Sequence, residues 1–298
     1  MVETEQSTGL VGAQQVAHDA EVRQSTNGVR FATFGETGIP AVDLDQMLEA
    51  VPTAITAALG ANTYYFVPLA MREPDTLGSS PRMQKSADSA MVAPAYSDDL
   101  SAVAICHRNV ELGSGNRGVF ISTKLMNDRF ALSFEFFINV AHAFVDAVGV
   151  PERFNTLAWS QAMANVKGET SFDAWEARQL AFGRPVAFEP EPLKAPNARR
   201  DRSRAFSSPA RVNLVAAAAP EPAKIDEKER NIFLETAFSD AVAVYLLSLG
   251  LDFDYSELRE REYPLLAPGA LAERLRLCAE LFPPNKGYEF SIRYRRRA

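Results

Sequence analysis

The amino-acid sequence predicts a helix-dominated α+β fold. Three observations carry that prediction. Residues 130–148 form a nearly all-apolar stretch with helical periodicity, several other segments carry helix start and stop signals, and the short strand-like runs do not alternate with helices as βαβ units do. The chain has 298 residues, 47% hydrophobic and 23% charged, the composition of a globular protein with a real core in one large or two smaller domains.

Residues 1–28 are polar and without periodicity, so a loosely ordered N-terminal tail is expected. A strand is expected at 29–34, closed by Gly35 and Gly38. Asp43, with Gln46 three residues on, resembles a capping box and predicts a helix running to Leu59 that Pro52 bends or splits. An apolar, aromatic strand is expected at 64–69, and a long ordered loop at 73–97, rich in Ser, Pro, Gly and Asp. Strands at 102–106 and 118–122, with Gly113, Gly115 and Gly118 between them, predict a hairpin.

The apolar helix follows and ends at Gly149. Pro151 opens the next helix, through Trp159 to Lys167. Thr170 and Asp173 form another capping pair before a helix through Trp175 to Phe182. Asp226 and Glu229 cap a strong helix that ends at Gly250. A last helix spans 270–281, and an alternating strand is expected over 288–294. The domain reading is thus a tail over 1–28 and an α+β core over 29–183 around helix 130–148. A Pro-, Ala- and Arg-rich linker or excursion follows over 184–226, then a helical segment with a C-terminal strand over 227–298, packed on the core.

The formal net charge of −7 argues against a dedicated nucleic-acid binder. The opening Met-Val-Glu-Thr-Glu-Gln is acidic and polar, so no secretory signal is expected, and no apolar run is expected to reach the length of a membrane span, 241–247 being a short core segment. The two cysteines, Cys106 and Cys278, lie far apart and read as reduced thiols of a cytoplasmic protein.

Within helix 130–148, Glu135, Asn139, His142 and Asp146 fall in an arc of about 60° at roughly 100° per residue. A surface helix shows polar residues over half its circumference or more, so this one is expected to be central, its polar line facing a cleft or another helix. Such a line is costly unless its members bond one another, a metal or water. His142 is the expected ligand or base, with Asp146 one turn on to hold its imidazole. The same residues read blandly are the solvent edge of a deeply seated helix.

The segment Ile138-Asn139-Val140-Ala141-His142-Ala143-Phe144-Val145-Asp146 resembles the His-Glu-x-x-His-Ala-x-x-Asp helix of thermolysin-like zinc peptidases. Glu235-Thr236-Ala237-Phe238-Ser239-Asp240 resembles their Asn-Glu-x-x-Ser-Asp helix, which supplies the third zinc ligand, and the strand pair before helix 130–148 fits the zincin order of edge strand followed by active-site helix. The resemblance implies a zincin-like core helix with a small antiparallel sheet. It departs from the pattern where the chemistry lies. Ile138 stands for the first histidine ligand, Asn139 for the general base and Thr236 for the third ligand, leaving His142, Asp146 and Asp240. Isoleucine binds no metal and an amide is no base, so hydrolysis by that mechanism is not expected. A shift of one position offers His142, Asp146 and Glu235 as a metal site for zinc, the one cofactor such a set suggests. Read alone, Glu235 is an ordinary charge on a helix flank.

Other constellations read as structure. Cys106 and His107 are neighbours whose side chains leave a strand on opposite faces, so Cys106 reads as a buried structural thiol. The run from Gly113 to Gly118 feeds no helix N-terminus and reads as a hairpin turn rather than a phosphate loop. Arg199, Arg200, Arg202, Arg204 and Arg211, and Arg293, Arg295, Arg296 and Arg297, read as solvated charge. The expected function is that of an inactive metallopeptidase-like protein used for binding or scaffolding, with a protein or small-molecule partner and neither membrane nor nucleic acid. Were it catalytic, His142, Asp146 and Asn139 are the candidates. The alternatives are a metal-dependent hydrolase built on His142, Asp146 and Glu235, and an assembly protein whose polar stripe is an interhelical hydrogen-bond network.

Overall fold

A computed structural model describes residues 9–72, 90–126, 128–184, 225–255 and 264–291. The fold class is α+β, with helices dominant and two small sheets. The five-stranded sheet has at its centre three parallel strands, β3 (Arg30–Thr33), β4 (Asn62–Val67) and β9 (Arg117–Ser122), in the register Phe31↔Tyr64↔Val119. β2 (Arg23–Gln24) closes one edge, and β8 (His107–Glu111), antiparallel to β9, closes the other. Between β3 and β4 run α2 (Ala41–Glu49) and α3 (Thr53–Thr56), so the two parallel strands are joined by a helical crossover. This corrects the expectation that no βαβ unit is present. Strands of four to six residues are too short to show a period, and Thr63–Val67 is buried throughout, as parallel strands covered on both faces are.

The hairpin forms around the expected glycine turn, where Gly113 and Gly115 adopt φ of 82° and 76°. Its first strand is β8, however, rather than 102–106. The shorter β7 (Ala104–Ile105) belongs to a second sheet, antiparallel throughout, in the order β1 (Val11–Gly12), β6 (Met91–Ala93), β5 (Leu69–Met71), β7. Ser122 ties the sheets together: its Oγ accepts from Ala70 N at 2.6 Å and donates to Ile105 O at 2.5 Å.

Residues expected to form a tail therefore contribute two strands and the helix α1 (Ala13–Asp19), anchored by buried Ala13 and Val16. Within the expected loop 73–97, β6 is a strand and residues 73–89 lie outside the described residues. The expected linker 184–226 also lies almost wholly outside them, as do Arg199, Arg200, Arg202, Arg204 and Arg211 within it and the arginines at the C-terminus. Residues 288–291 form no strand; Tyr288 and Phe290 pack on the main core instead.

Helix caps follow the sequence in part. Asp226 accepts from Lys228 N and Glu229 N at the start of α8 (Glu227–Gly250), and Gly149 ends α5 (Arg129–Val148) with φ 70°. Asp43 caps nothing: α2 begins at Ala41 after Pro40, and Asp43 pairs with Arg129 at 3.3 Å. Ser171, rather than Thr170, caps α7 (Phe172–Ala181) by accepting from Ala174 N. Pro151 is the N-cap of α6 (Glu152–Met163).

The central helix is α8, not α5. Every residue from Ala237 to Gly250 is buried, and α8 packs against α5, α6, α7 and α9 (Pro268–Leu281). Close approach to α5 depends on Gly250, where a Cβ would lie 3.0 Å from the ring of Phe137. Helix α5 sits between α8 and the larger sheet, burying Phe136, Phe137, Val140, Ala141 and Phe144, while Ala147 and Val148 reach solvent. Contrary to expectation, two helices among the described residues are long and apolar enough to cross a membrane, α5 and α8, with mean hydropathies of 1.4 and 1.6. Burial inside the protein accounts for much of this apolarity, above all in α8.

Candidate functional site

Helix periodicity places Glu135, Asn139, His142 and Asp146 in one line, and the fold brings a different partner to each. Edge strand β8 presents His107, whose Nδ1 lies 2.5 Å from Glu135 Oε1. That carboxylate is largely covered, and the imidazole is about one-third exposed at 38%. Asn139 turns its amide back along the helix, donating to Glu135 O at 2.8 Å and Glu135 Oε1 at 3.2 Å. Its amide therefore holds Glu135 in place and faces no cleft. His142 Nδ1 lies 2.9 Å from Ser239 Oγ on α8. Asp146 reaches Arg117 of β9 at 3.5 Å, an exposed pair that adds little stability.

The two imidazoles share an electrostatic neighbourhood. Partial burial lowers the pKa of His142; the charge of Asp146 opposes that shift, that of His107 adds to it, and those of Asp173 and Glu135 oppose it. His142 is still solvent-exposed at its surface edge. In both rings Nδ1 is engaged, so each can offer only Nε2 to a ligand. Cys106 is exposed rather than buried, and burial of its surroundings together with the Glu135 charge raises its thiol pKa. A thiol held protonated is a poor nucleophile. Ser239 is 1% exposed, so its hydroxyl cannot reach a substrate and serves as a helix-to-helix contact.

The proposed metal set does not assemble. Glu235 is exposed on α8, Asp146 turns to Arg117 and His142 to Ser239. Among the described residues no three His, Cys, Asp or Glu side chains are placed to hold a metal ion.

Behind this face lies a buried charge cluster that the sequence reading misses. Glu169, fully buried, receives Arg178 Nη1 on Oε1 and Arg274 Nη1 on Oε2, both at 2.9 Å. Arg178 also donates to the carbonyls of Val166, Gly168 and Ala162, and Arg274 Nε donates to Gln161 Oε1 at 2.8 Å. The backbone of Glu169 pairs with Pro264 O and Leu266 N. Gly168 makes this approach, with φ 80° and room for a Cβ only 2.0 Å from Leu265 O. Next in the chain, Thr170 Oγ1 donates to Asp240 Oδ2 at 2.8 Å. Burial pushes Asp240 up to about 6, opposed by hydrogen bonds from Ser171 and Thr170, with Glu169 raising it further and Arg274 lowering it. No sequence signal marks Glu169, Arg178 and Arg274 as partners, since each reads as an ordinary helix or loop charge.

Comparison with known proteins finds no matching family model, no matching curated protein and no matching solved structure.

Proposed function

We propose that this protein is a non-peptidase with a zincin-like core, and that the face made by β8, the stripe of α5 and the outer side of α8 serves binding or scaffolding. The observation that carries this reading is the commitment of the stripe: Glu135 is held by His107 and Asn139, and His142 by Ser239. The carboxylate and amide of the stripe are thus used to position neighbours, and neither imidazole stands beside a second metal ligand. The antiparallel edge strand β8, then β9, then α5, supports the zincin-like order. Ile138 and Asn139, at the ligand and base positions of that order, support the loss of hydrolysis.

What the face retains is two imidazoles fixed through Nδ1 with Nε2 available, beside an exposed thiol. Such a face suits a ligand with hydrogen-bonding groups spaced to meet both rings. Screening a library of small-molecule fragments and short peptides by the ring resonances of the histidines is expected to yield ligands that shift His107 and His142 together and lose affinity in His142→Ala. Ligands that bind while leaving both rings unmoved would overturn the proposal. In the same experiments, protein incubated with zinc and dialysed is expected to retain less than one equivalent and to leave labelled casein uncleaved. Stoichiometric zinc that disappears in His142→Ala, together with casein hydrolysis, would restore the enzyme reading.

A second reading, a purely structural stripe for assembly, is favoured by the burial of Ser239, because its contact with His142 joins two packed helices. The readings differ in the stability of His142→Ala. One partly exposed hydrogen bond contributes about 0.5–1.5 kcal/mol. A loss within that range, measured by urea unfolding, fits a binding face; a loss beyond about 3 kcal/mol, the scale of a broken buried network, fits the structural one.

A further inference from the structure

The turn of α8 that carries Ser239 touches two systems at once. Ser239 faces α5 and holds His142, while Asp240, the next residue, faces the α6–α7 connection. Asp240 is 7% exposed, and its carboxylate receives the hydroxyls of Thr170 and Ser171. Ser171 is also the N-cap of α7, its Oγ accepting from Ala174 N at 3.1 Å. A single side chain thus ties the first turn of α7 to the central helix.

We propose that Asp240 is an acid-locked clasp, whose protonated form seats the α6–α7 connection and the first turn of α7 on α8 and whose ionised form loosens that seat. The geometry sets the direction. An ionised carboxylate here has two hydroxyl donors but little water, and a buried charge with incomplete solvation favours any opening that lets water in. The surrounding charges do not neutralise it. Glu169 on the connection is negative, and its carboxylate already occupies Arg274 of α9 and Arg178 of α7. On the α5 side, through Ser239, stands His142, whose own charged neighbours are Asp146, His107, Asp173 and Glu135. Asp173 lies in the first turn of α7 and is negative as well.

Burial holds the folded-state pKa of Asp240 at about 6, above the ordinary 3.8. Its contribution to stability is therefore fully present below 3.8 and is lost as pH rises through about 6. At neutral pH the clasp is loosened, and acidification closes it. Through Ser239 the change is delivered to the same turn that positions His142, which makes the exposed face sensitive to a proton bound behind it.

Hydrogen exchange of the full chain tests this. After division by intrinsic exchange rates, the protection of the first-turn amides of α7 is expected to fall by up to about 10-fold between pH 5 and 7.5, the part of the Asp240 pKa displacement that titrates in that range. In Asp240→Asn, which mimics the protonated side chain, the same amides are expected to stay protected across that range. Thr170→Val removes a donor that favours the ionised form, so its transition is expected to move to higher pH. It also keeps the proposal testable if the Asn variant does not fold. PH-independent protection in the wild type, an unchanged profile in Asp240→Asn, or a transition in Thr170→Val that stays put or moves to lower pH would each overturn the clasp.

Discussion

Replacing Glu169 by alanine is expected to lower the free energy of unfolding by about 3–5 kcal/mol, because it leaves two buried guanidinium groups without their counter-charge. The loss falls unequally on them. Arg178 keeps three carbonyl acceptors, from Val166, Gly168 and Ala162, whereas Arg274 keeps only Gln161 Oε1 for its Nε and loses the partner of Nη1. Arg274 is fully buried, so water cannot replace the carboxylate without opening α9 or the α6–α7 connection. Urea unfolding is expected to show a lower midpoint at unchanged slope. The double variant Glu169→Ala, Arg274→Met is expected to recover part of the loss, since it removes the fully buried lone guanidinium, while Arg178 keeps its carbonyl acceptors. A loss below about 1 kcal/mol in the single variant would mean that solvent reaches the arginines and that the cluster is not sealed.

The elements that the sequence announces are those whose signals are local. Helix α5 is legible from its apolar girth and from Gly149, α8 from the cap at Asp226, and the hairpin from glycines that the turn needs at positive φ. The stripe is legible too, because four residues on one helix obey one period. Its partners are not. His107 and Ser239 come from other elements, and nothing local says which strand residue will stand opposite Glu135. The same holds for Glu169 and Arg274, which meet across 105 positions. Strands of two or three residues such as β1, β2 and β6 carry no period, so the first 28 residues read as a tail although their buried Ala13 and Val16 join a core. Which of the two long helices lies deeper is not legible for a related reason. Periodicity measures how apolar a helix is, while the depth of burial depends on what surrounds it, and α8 is enclosed by four helices where α5 keeps one edge in solvent.

That unequal burial makes α5 a helix whose two faces can be tested apart. Phe136→Ala is expected to destabilise the fold by about 3–5 kcal/mol, the range for deleting a buried phenylalanine ring. The Phe136 ring is fully buried and stands 5.1 Å from the ring of Tyr64 in an edge-to-face arrangement, 5.8 Å from Phe66 and 5.4 Å from Phe137. It is therefore the contact through which α5 grips β4 at the centre of the larger sheet. His142→Ala, on the opposite face and two turns away, removes one hydrogen bond and no core volume. A large loss from the first and a small loss from the second would show that α5 owes its place to its apolar face, leaving the stripe free for binding. Tyr64, whose ring meets Phe136 edge to face, has an Oη that is buried without a hydrogen-bond partner among the described residues. Water that reaches the hydroxyl through the cavity left by Phe136→Ala would bond it and draw the cost toward the lower end of the range. Tyr64→Phe, which deletes the unsatisfied hydroxyl and keeps the ring, is accordingly expected to be neutral or stabilising alone, and to make Phe136→Ala more costly when the two are combined.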